Sequence, residues 1–230
     1  RLVKLDIPAA GPMRAPGEAS GMLSLECAMD ELAEQLGLDP IELRLRNEPE
    51  TDPETGKPFS TRQLVRCMTE GAQRFGWDRR NPKPGQVRDG RWLVGLGMAA
   101  AIRGNFLLPA KAGVRIDTDG TITLRQGMTD IGTGTYTILA QITAETLGVP
   151  LAQVKVELGD SDFPPAPGSG GQFGAATAGS AAFAAGMNLR KALAELAIGD
   201  PNSPLYGDDP ELVTFGGGNI AVDNRAEPLE

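Results

Sequence analysis

The sequence contains no histidine and only two cysteines, Cys27 and Cys67. Histidine is the commonest general base and the commonest metal ligand in proteins, so neither role can come from this side chain. Two widely separated thiols exclude a cysteine-based metal site and argue against a disulfide framework. Because both cysteines fall in amphipathic helical patterns, we expect them to be buried as small apolar side chains. Any metal that this chain handles therefore has to be held through a cofactor.

The chain also lacks an excess of positive charge and long apolar runs. Its 22 basic and 30 acidic residues give a net charge of −8, which argues against partners such as nucleic acid or an anionic membrane. No apolar run approaches the roughly 20 residues that a membrane-spanning helix needs. The sequence starts with "RLVKLDIP", without an initiator methionine or a signal-peptide pattern. From this start we expect a processed chain or an excised piece.

Glycine and proline are abundant, with 30 and 18 residues in a chain of 230, and they predict much loop. The first part of the chain nevertheless has a helical pattern, because apolar residues recur at helical spacing over residues 22–36. Asp39 is the expected N-cap of a second helix, with Pro40 at its first position. Ser60 and Gln63 have the spacing of a capping box that opens a third helix.

Two polar segments follow or separate these helices. The acidic segment "EPETDPETGKPF", residues 48–59, is expected to be a solvated loop. The basic, turn-rich segment "WDRRNPKPGQVRDG", residues 77–90, is the best candidate for a linker. We therefore predict one domain over residues 1–88 and a second over residues 89–230.

The periodicity changes after the linker from helical to mixed. The run "RWLVGLGMAAAIRGNF" fits a buried strand better than a helix, and "AGVRIDTDGTITLRQ" predicts a β-hairpin that turns at Asp119 and Gly120. The expected elements after the hairpin are a helix over 135–147, a strand in "AQVKVELGD", a helix that ends near Ile198 and a closing hairpin in "LVTFGGGNIAVD". A helical N-terminal part followed by a mixed strand and helix half predicts the α+β class.

The stretch "GMTDIGTGTYT", residues 127–137, places Gly132, Thr133 and Gly134 where a strand leads into a helix. Backbone amides at a helix N-terminus favour an anion, and glycine lets a ligand approach the backbone closely. The stretch matches neither a P-loop nor a dinucleotide-binding fingerprint. Taken alone, it is also explained as a simple helix entry with Thr135 as the cap.

A second glycine-rich stretch, "GSGGQFGAATAGSAA", covers residues 168–182. It predicts another helix N-terminus that carries almost no side-chain bulk. Tight helix packing or a flexible linker would account for it equally well. Two such junctions in one chain favour a bound polyanion, such as a phosphate-bearing or pterin-like ligand.

Two arginines stand among small and apolar residues, Arg14 in "GPMRAPG" and Arg103 in "AAIRGNF". A guanidinium in such a setting can bind a carboxylate, a phosphate or a polar substrate through two hydrogen bonds. The alternative is a structural arginine that donates to loop carbonyls. Asp160 and Asp162 have the positions of turn or cap residues rather than of acid–base catalysts.

Taken together, these motifs resemble a known family. The segment "MRAPGEASGMLSLECAMDELAEQLGLDPIELRLRN" is similar to the molybdenum-binding subunit of the xanthine dehydrogenase and aldehyde oxidase family. The segment "GMTDIGTGTYTILAQITAETLGVPLAQVKVELGDSDFPPAPGSGGQFGAATAGSAA" resembles the second cofactor-binding half of that subunit, in the same order. Within the family the chain looks most similar to bacterial aldehyde oxidoreductases that use molybdopterin cytosine dinucleotide.

The resemblance implies a molybdenum-dependent enzyme that inserts a water-derived oxygen into an aldehyde or a heteroaromatic substrate. It implies an iron–sulfur subunit and an FAD subunit as partners that carry the electrons away. Relatives occur in the cytoplasm or the periplasm, so the compartment is left open.

The resemblance also assigns residues. It implies that Gly132, Thr133 and Gly134 contact the pterin, with Thr133 where many relatives have glutamine, and that Gly174 and Ala175 belong to the second pterin loop.

On the substrate side, the resemblance places Arg103 and Arg14 beside the substrate as positioning residues and Phe106 in the pocket wall. The catalytic glutamate of the family stands in a Gly-Glu motif near the end of the full subunit, and no motif with that context occurs here. We therefore expect an internal segment of a larger subunit that is inactive alone. The alternatives are a non-catalytic module that binds a nucleotide or a subunit, and a plain scaffold whose glycines only solve packing.

Overall fold

The computed structural model describes Asp6, residues 14–102 and residues 104–229. The chain forms two compact units, residues 1–103 and residues 104–230. Five α-helices and eight short strands occur in the described residues, which confirms the predicted α+β class. The domain boundary predicted between residues 88 and 89 lies inside the first unit and stays a prediction.

The first unit is mainly helical. Its helices are α1 (Glu18–Leu36), α2 (Pro40–Arg46) and α3 (Leu64–Phe75), and two short antiparallel strands follow, β1 (Arg88–Asp89) and β2 (Trp92–Leu93). The carboxylate of Asp39 accepts a hydrogen bond from the Ile41 N–H at 2.8 Å, which confirms the predicted N-cap of α2. Pro40 stands at the first helical position, as the sequence predicts.

The start of α3 differs from the prediction. The helix begins at Leu64 with Gln63 in the N-cap position, and the Gln63 side chain makes no capping hydrogen bond. The capping box predicted for Ser60 and Gln63 is therefore wrong. Ser60 lies three residues before the N-cap, outside the helix, so its hydroxyl is not placed at the cap position.

The predicted buried strand after the linker is also wrong in its extent and its burial. Among the described residues of this run, only Trp92 and Leu93 form a strand, and both are exposed. Residues 94–102 have no regular secondary structure. A buried strand needs neighbours for both its backbone groups and its side chains. Among the described residues, the pairing partner of this segment is the two-residue strand β1.

Cys27 and Cys67 are exposed, so the expectation that both are buried is wrong. The apolar residues Leu25 and Leu32 of α1 are exposed as well. An apolar side chain is buried only where another element packs over its helix face. The part of the chain that the structure describes does not cover this face of α1.

Most of the acidic loop is exposed, as predicted, but its first residue is partly buried. Glu48 is half-buried, and both of its carboxylate oxygens accept hydrogen bonds from Arg62, one of them at 2.9 Å. This bond to the guanidinium lowers the pKa of Glu48 below its usual value, against a smaller opposing effect of burial. Glu48 thus holds the loop to the turn before α3.

The second unit is built around the sheet β3 (Gly113–Ile116), β4 (Ile122–Gln126) and β5 (Val154–Leu158), in that order. Strands β3 and β4 form the predicted antiparallel hairpin, and Gly120 takes a positive φ of 79° in its turn. Strands β4 and β5 are parallel, and helix α4 (Thr135–Leu147) connects them. Parallel neighbours require such a crossover.

Helix α5 (Gly174–Gly199) packs along α4 and against the sheet. Small residues on α5 permit this close approach, because a Cβ at Gly179 or at Gly186 would lie 2.8 Å from a side-chain carbon of Ile142 or Thr146. The core between the sheet and the helices consists of Leu124, Met128, Leu139, Ala178 and Ala182. Tight packing of helices is thus part of what the small residues after 174 do.

The second sheet of this unit is fully antiparallel. It consists of β6 (Thr214–Gly216), β7 (Asn219–Val222) and β8 (Arg225–Pro228). The predicted closing hairpin corresponds to β6 and β7. Its core packs against the end of α5 and contains Ala194, Ala197, Leu205, Val213, Ile220, Val222 and Leu229.

Two further properties of the fold concern the residues that the structure describes. None of their helices is long and apolar enough to cross a membrane. No three of their cysteine, aspartate and glutamate side chains form a group that could hold a metal ion.

Candidate functional site

The two glycine-rich stretches both follow parallel strands of the second unit. Residues 127–134 connect β4 to α4, and residues 159–173 connect β5 to α5. The carboxyl ends of parallel neighbours lie at the same edge of a sheet, and ligands of open α/β sheets bind at that edge. The N-termini of α4 and α5 also face this edge, so the topology concentrates backbone N–H donors there.

Thr129 and Ser169 join the two loops directly. The Ser169 hydroxyl donates to the Thr129 carbonyl oxygen at 2.6 Å, and the Ser169 backbone N–H donates to Thr129 Oγ1 at 3.0 Å. The Thr135 hydroxyl lies 3.4 Å from the same carbonyl oxygen. The two stretches that the sequence suggested separately are therefore adjacent in the structure.

Asp130 organises the entry to α4. Its Oδ1 accepts from the backbone N–H of Gly132 at 2.8 Å and of Thr133 at 3.0 Å, and its Oδ2 accepts from the Tyr136 N–H at 3.3 Å. These bonds, led by the one from Gly132, lower the pKa of the Asp130 carboxyl below its usual value. The carboxylate thus serves as an internal anion at this helix N-terminus.

The prediction that Thr135 caps α4 is wrong. Gly134 occupies the N-cap position, and Thr135 is the first helical residue. Gly132 and Gly134 have φ values of 94° and 84°, a conformation that favours glycine, and a Cβ on either would meet no atom within 4 Å. Both glycines thus leave an open surface on the loop, as close approach of a ligand requires.

The second loop has unusual backbone geometry just before α5. Gly168 and Gly171 have φ values of 77° and 46°, and the neighbouring Gln172 has a φ of 54° although it carries a side chain. A non-glycine residue in this region is uncommon and costs conformational energy, and such residues concentrate at binding sites.

The start of α5 carries small residues and no cap from its N-cap residue. Gly174 and Ala175 are the first two helical residues, and the side chain of Phe173 makes no capping hydrogen bond. A Cβ at Gly174 would lie 3.0 Å from Met128 Cε, so this glycine also allows α5 to approach the end of β4.

The two helix N-termini therefore differ in their partners. The amides before α4 donate to Asp130, whereas no described side chain takes the corresponding place at α5. Amides at α5 together with the Thr129 hydroxyl form a donor set without a metal ligand, since the Ser169 hydroxyl already donates to the Thr129 carbonyl oxygen. Such donors suit the phosphate and pterin groups of a cofactor that brings its own metal.

The remaining predicted residues are placed as follows. Arg14 is exposed and precedes Ala15, which has a positive φ of 58°, just before α1 in the first unit. Phe106 is exposed at the start of the second unit. Arg103 lies outside the described residues. The assignment of Arg14, Arg103 and Phe106 to a substrate pocket stays a prediction, as does the contact of Gly132, Thr133, Gly134, Gly174 and Ala175 with a cofactor.

Comparison with protein families identifies the domain. Residues 70–230 match the model of a molybdopterin cofactor-binding domain, and residues 1–48 match a second molybdopterin cofactor-binding domain model. The chain belongs to the molybdopterin cofactor-binding domain family. The recognition from the sequence motifs is thereby confirmed.

Curated relatives show which proteins contain this domain. The chain is 51% identical over its whole length to the aldehyde oxidoreductase molybdenum-binding subunit PaoC of Escherichia coli K12. It is 32% identical, over 97% of its length, to the putative xanthine dehydrogenase molybdenum-binding subunit XdhA of the same organism. In each case the chain spans 30% of the length of the relative.

Solved structures of two enzymes share the fold. Quinoline 2-oxidoreductase from Pseudomonas putida 86 superposes with a TM-score of 0.68 at 22% identity, over 91% of this chain and 29% of that one. Aldehyde oxidoreductase from Desulfovibrio gigas superposes with a TM-score of 0.61 at 25% identity, over 86% of this chain and 22% of that one.

Three residues of the site were missed from the sequence. Asp130 had a recognisable signal, because an aspartate two residues before a glycine often accepts from backbone amides in a turn. Thr129 and Ser169 had none, because their contact joins positions 40 residues apart.

Proposed function

We propose that this chain is the part of a molybdenum hydroxylase subunit that holds molybdopterin cytosine dinucleotide. The complete enzyme would oxidise an aldehyde or an N-heteroaromatic substrate with oxygen derived from water. An iron–sulfur subunit and an FAD subunit would accept the electrons. The observation that carries this proposal is the pair of loops after β4 and β5, joined by Thr129 and Ser169, in a molybdopterin cofactor-binding domain.

The residues of this chain would bind and orient the cofactor. The amides at Gly174 and Ala175 would receive an anionic group, because α5 has no carboxylate at its start while α4 is already served by Asp130. The open surface at Gly132, Thr133 and Gly134 would allow flat contact with the pterin. When bound, the molybdenum centre supplies the hydroxylation chemistry.

Arg14 and Arg103 would position the substrate, since a guanidinium can bind carbonyl and carboxylate oxygens through two hydrogen bonds. The catalytic glutamate of the family has no counterpart in its usual context among these residues. We therefore expect the 230 residues alone to be inactive. The support for the aldehyde class is the name of the relative with 51% identity.

The test measures how tightly cytidine diphosphate binds after a substitution has introduced a carboxylate at the start of α5, where the anionic group is proposed to bind. Ala175 is exposed at the second position of α5, where an aspartate stabilises the helix through the dipole but repels a phosphate. We expect Ala175→Asp to weaken binding of cytidine diphosphate at least about tenfold by calorimetry, in line with a like-charge contact. The melting temperature should stay the same or rise.

Ala184→Asp is the matched control, because Ala184 is an exposed residue in the interior of the same helix. This variant should bind the nucleotide like the parent chain. Equal binding by Ala175→Asp and the parent would contradict the proposed place of the phosphate. A chain that binds nucleotide while the complete subunit purifies without molybdenum would instead support a non-catalytic nucleotide-binding module.

A further inference from the structure

We infer that Thr129 and Ser169 act as positioning residues that couple the two loops, so that order in one loop imposes order in the other. The hydrogen bonds between these two residues are called the Thr129–Ser169 latch below. The latch is a property of the chain without its cofactor. Only its consequence for cofactor retention rests on the proposed function.

The geometry of the latch is reciprocal. Ser169 uses both its hydroxyl and its backbone N–H as donors, and Thr129 supplies both its carbonyl oxygen and Oγ1 as acceptors. A Cβ at Gly168 would lie 3.7 Å from Thr129 Oγ1, which is van der Waals contact. The backbone before Ser169 therefore runs close to the Thr129 side chain. Two hydrogen bonds between the same two residues fix both distance and orientation.

Each partner also continues into an ordered element. Met128, next to Thr129, is fully buried in the core between the sheet and the helices. Asp130, on its other side, holds the amides that lead into α4. Ser169 precedes the positive-φ residues Gly171 and Gln172 that lead into α5. The latch therefore fixes the strained backbone before α5 relative to the end of β4.

The Thr129 hydroxyl has a further capacity. Its oxygen accepts from the Ser169 N–H, so its own hydrogen is directed elsewhere, and the residue is exposed at the surface of the site. In the bound enzyme this hydroxyl would donate to an acceptor of the cofactor. A hydroxyl that accepts from one loop and donates to the ligand makes the ligand part of the same network.

The test is amide hydrogen exchange on the 230-residue chain without cofactor. We expect Thr129→Val to speed exchange about five- to tenfold in residues 168–173 as well as in residues 130–134, as loss of one hydrogen bond implies. Ser169→Ala should produce the same pattern. The double variant removes both hydrogen bonds and should speed exchange by less than the product of the two single effects, because loss of either bond weakens the other. Thr129→Ser keeps the hydroxyl and should restore slow exchange in both loops.

The matched control is Thr137→Val, since Thr137 is an exposed threonine on α4 outside the latch. Protection of residues 139–147 serves as the internal reference, because global unfolding would speed exchange there as well. Faster exchange confined to the loop that carries the substitution would overturn the inference, and so would multiplicative effects in the double variant. If Thr129→Val fails to fold, the effect of Ser169→Ala on residues 130–134 decides the question.

Cofactor retention is measured separately on the complete subunit. Thr129→Val should lose molybdopterin during gel filtration while Thr129→Ser retains it. If Thr129→Val shows coupled exchange but keeps its cofactor, the latch stands and its role in cofactor retention is overturned. A parent subunit that holds no molybdopterin would instead contradict the proposed function. The two ideas therefore fail on different readouts.

Discussion

The Arg44 guanidinium of α2 lies against the Glu26 carboxylate of α1, with Arg44 Nη2 2.7 Å from Glu26 Oε2. Only 6% of the Arg44 side chain and 13% of the Glu26 side chain are exposed. The same Glu26 oxygen accepts from the Ala100 backbone N–H at 2.8 Å, so one carboxylate joins two helices and the segment after β2. Asp30 adds a weaker contact to Arg44 at 3.3 Å.

Glu26→Gln is therefore expected to lower the free energy of unfolding of the first unit by about 1–3 kcal/mol, because a buried guanidinium loses its main counter-charge while Asp30 remains. Both tryptophans of the chain, Trp77 and Trp92, lie in this unit, so urea unfolding followed by tryptophan fluorescence measures the change. Glu34→Gln on the exposed face of α1 is the control. Equal stability of the two variants would contradict the structural role of the pair.

Asp130 predicts a dependence of stability on pH. Its folded-state pKa is lowered from the ordinary value of 3.8, so its contribution is fully present above that value and is lost as the pH falls through the lower folded pKa. We expect Asp130→Asn to melt below the parent chain at pH 7, and the difference to shrink below a pH of about 4. Circular dichroism melts from pH 7 to acid check this. A difference that is constant down to pH 2 would show that charge plays no part.

Gly148 predicts a large effect of a single methyl group. It ends α4 with a φ of 68°, and a Cβ there would lie 2.7 Å from backbone atoms of Phe215 and Gly216. Gly148→Ala should lower the free energy of unfolding of the second unit for two reasons, the positive φ and the steric clash. The clash should add about 1–3 kcal/mol to the cost of the backbone conformation. Gly207→Ala is the control, with a φ of 78° and no atom within 4 Å, and should show only the cost of about 1–2 kcal/mol for that backbone conformation. Equal melting temperatures would contradict the close approach.

The proposed role of the two arginines predicts changes in activity without loss of cofactor. Arg14→Ala and Arg103→Ala, made in the complete enzyme, should lower kcat/KM for an aldehyde roughly 10- to 100-fold because the substrate is less well oriented. Molybdenum content should stay near that of the parent enzyme. Arg46→Ala is the control, since Arg46 pairs with Glu42 on an exposed helix face. Unchanged kcat/KM in Arg14→Ala and Arg103→Ala would exclude them from substrate positioning.

Local features were predictable because their causes are local. Asp39 and Pro40 start α2 through bonds and dihedral angles within a few residues, and Gly120 turns the β3–β4 hairpin for the same reason. The glycine-rich junctions before α4 and α5 were visible for this reason as well. Local signals failed where a motif fitted the sequence at the wrong position. Ser60 and Gln63 have the spacing of a capping box, but the helix begins later, at Leu64.

The sequence by itself determined the α+β class, the hairpin, the helices that follow the two glycine-rich loops, and the family, because these depend on periodicity, turn chemistry and ordered motifs. Only the tertiary structure decided that Asp130 occupies the amides before α4 and that Thr129 meets Ser169. Such contacts depend on how parallel strands β4 and β5 bring distant loops to one edge. Burial likewise depends on which element packs over a helix, and for that reason the exposure of Cys27 and Cys67 could not be read from the helical pattern.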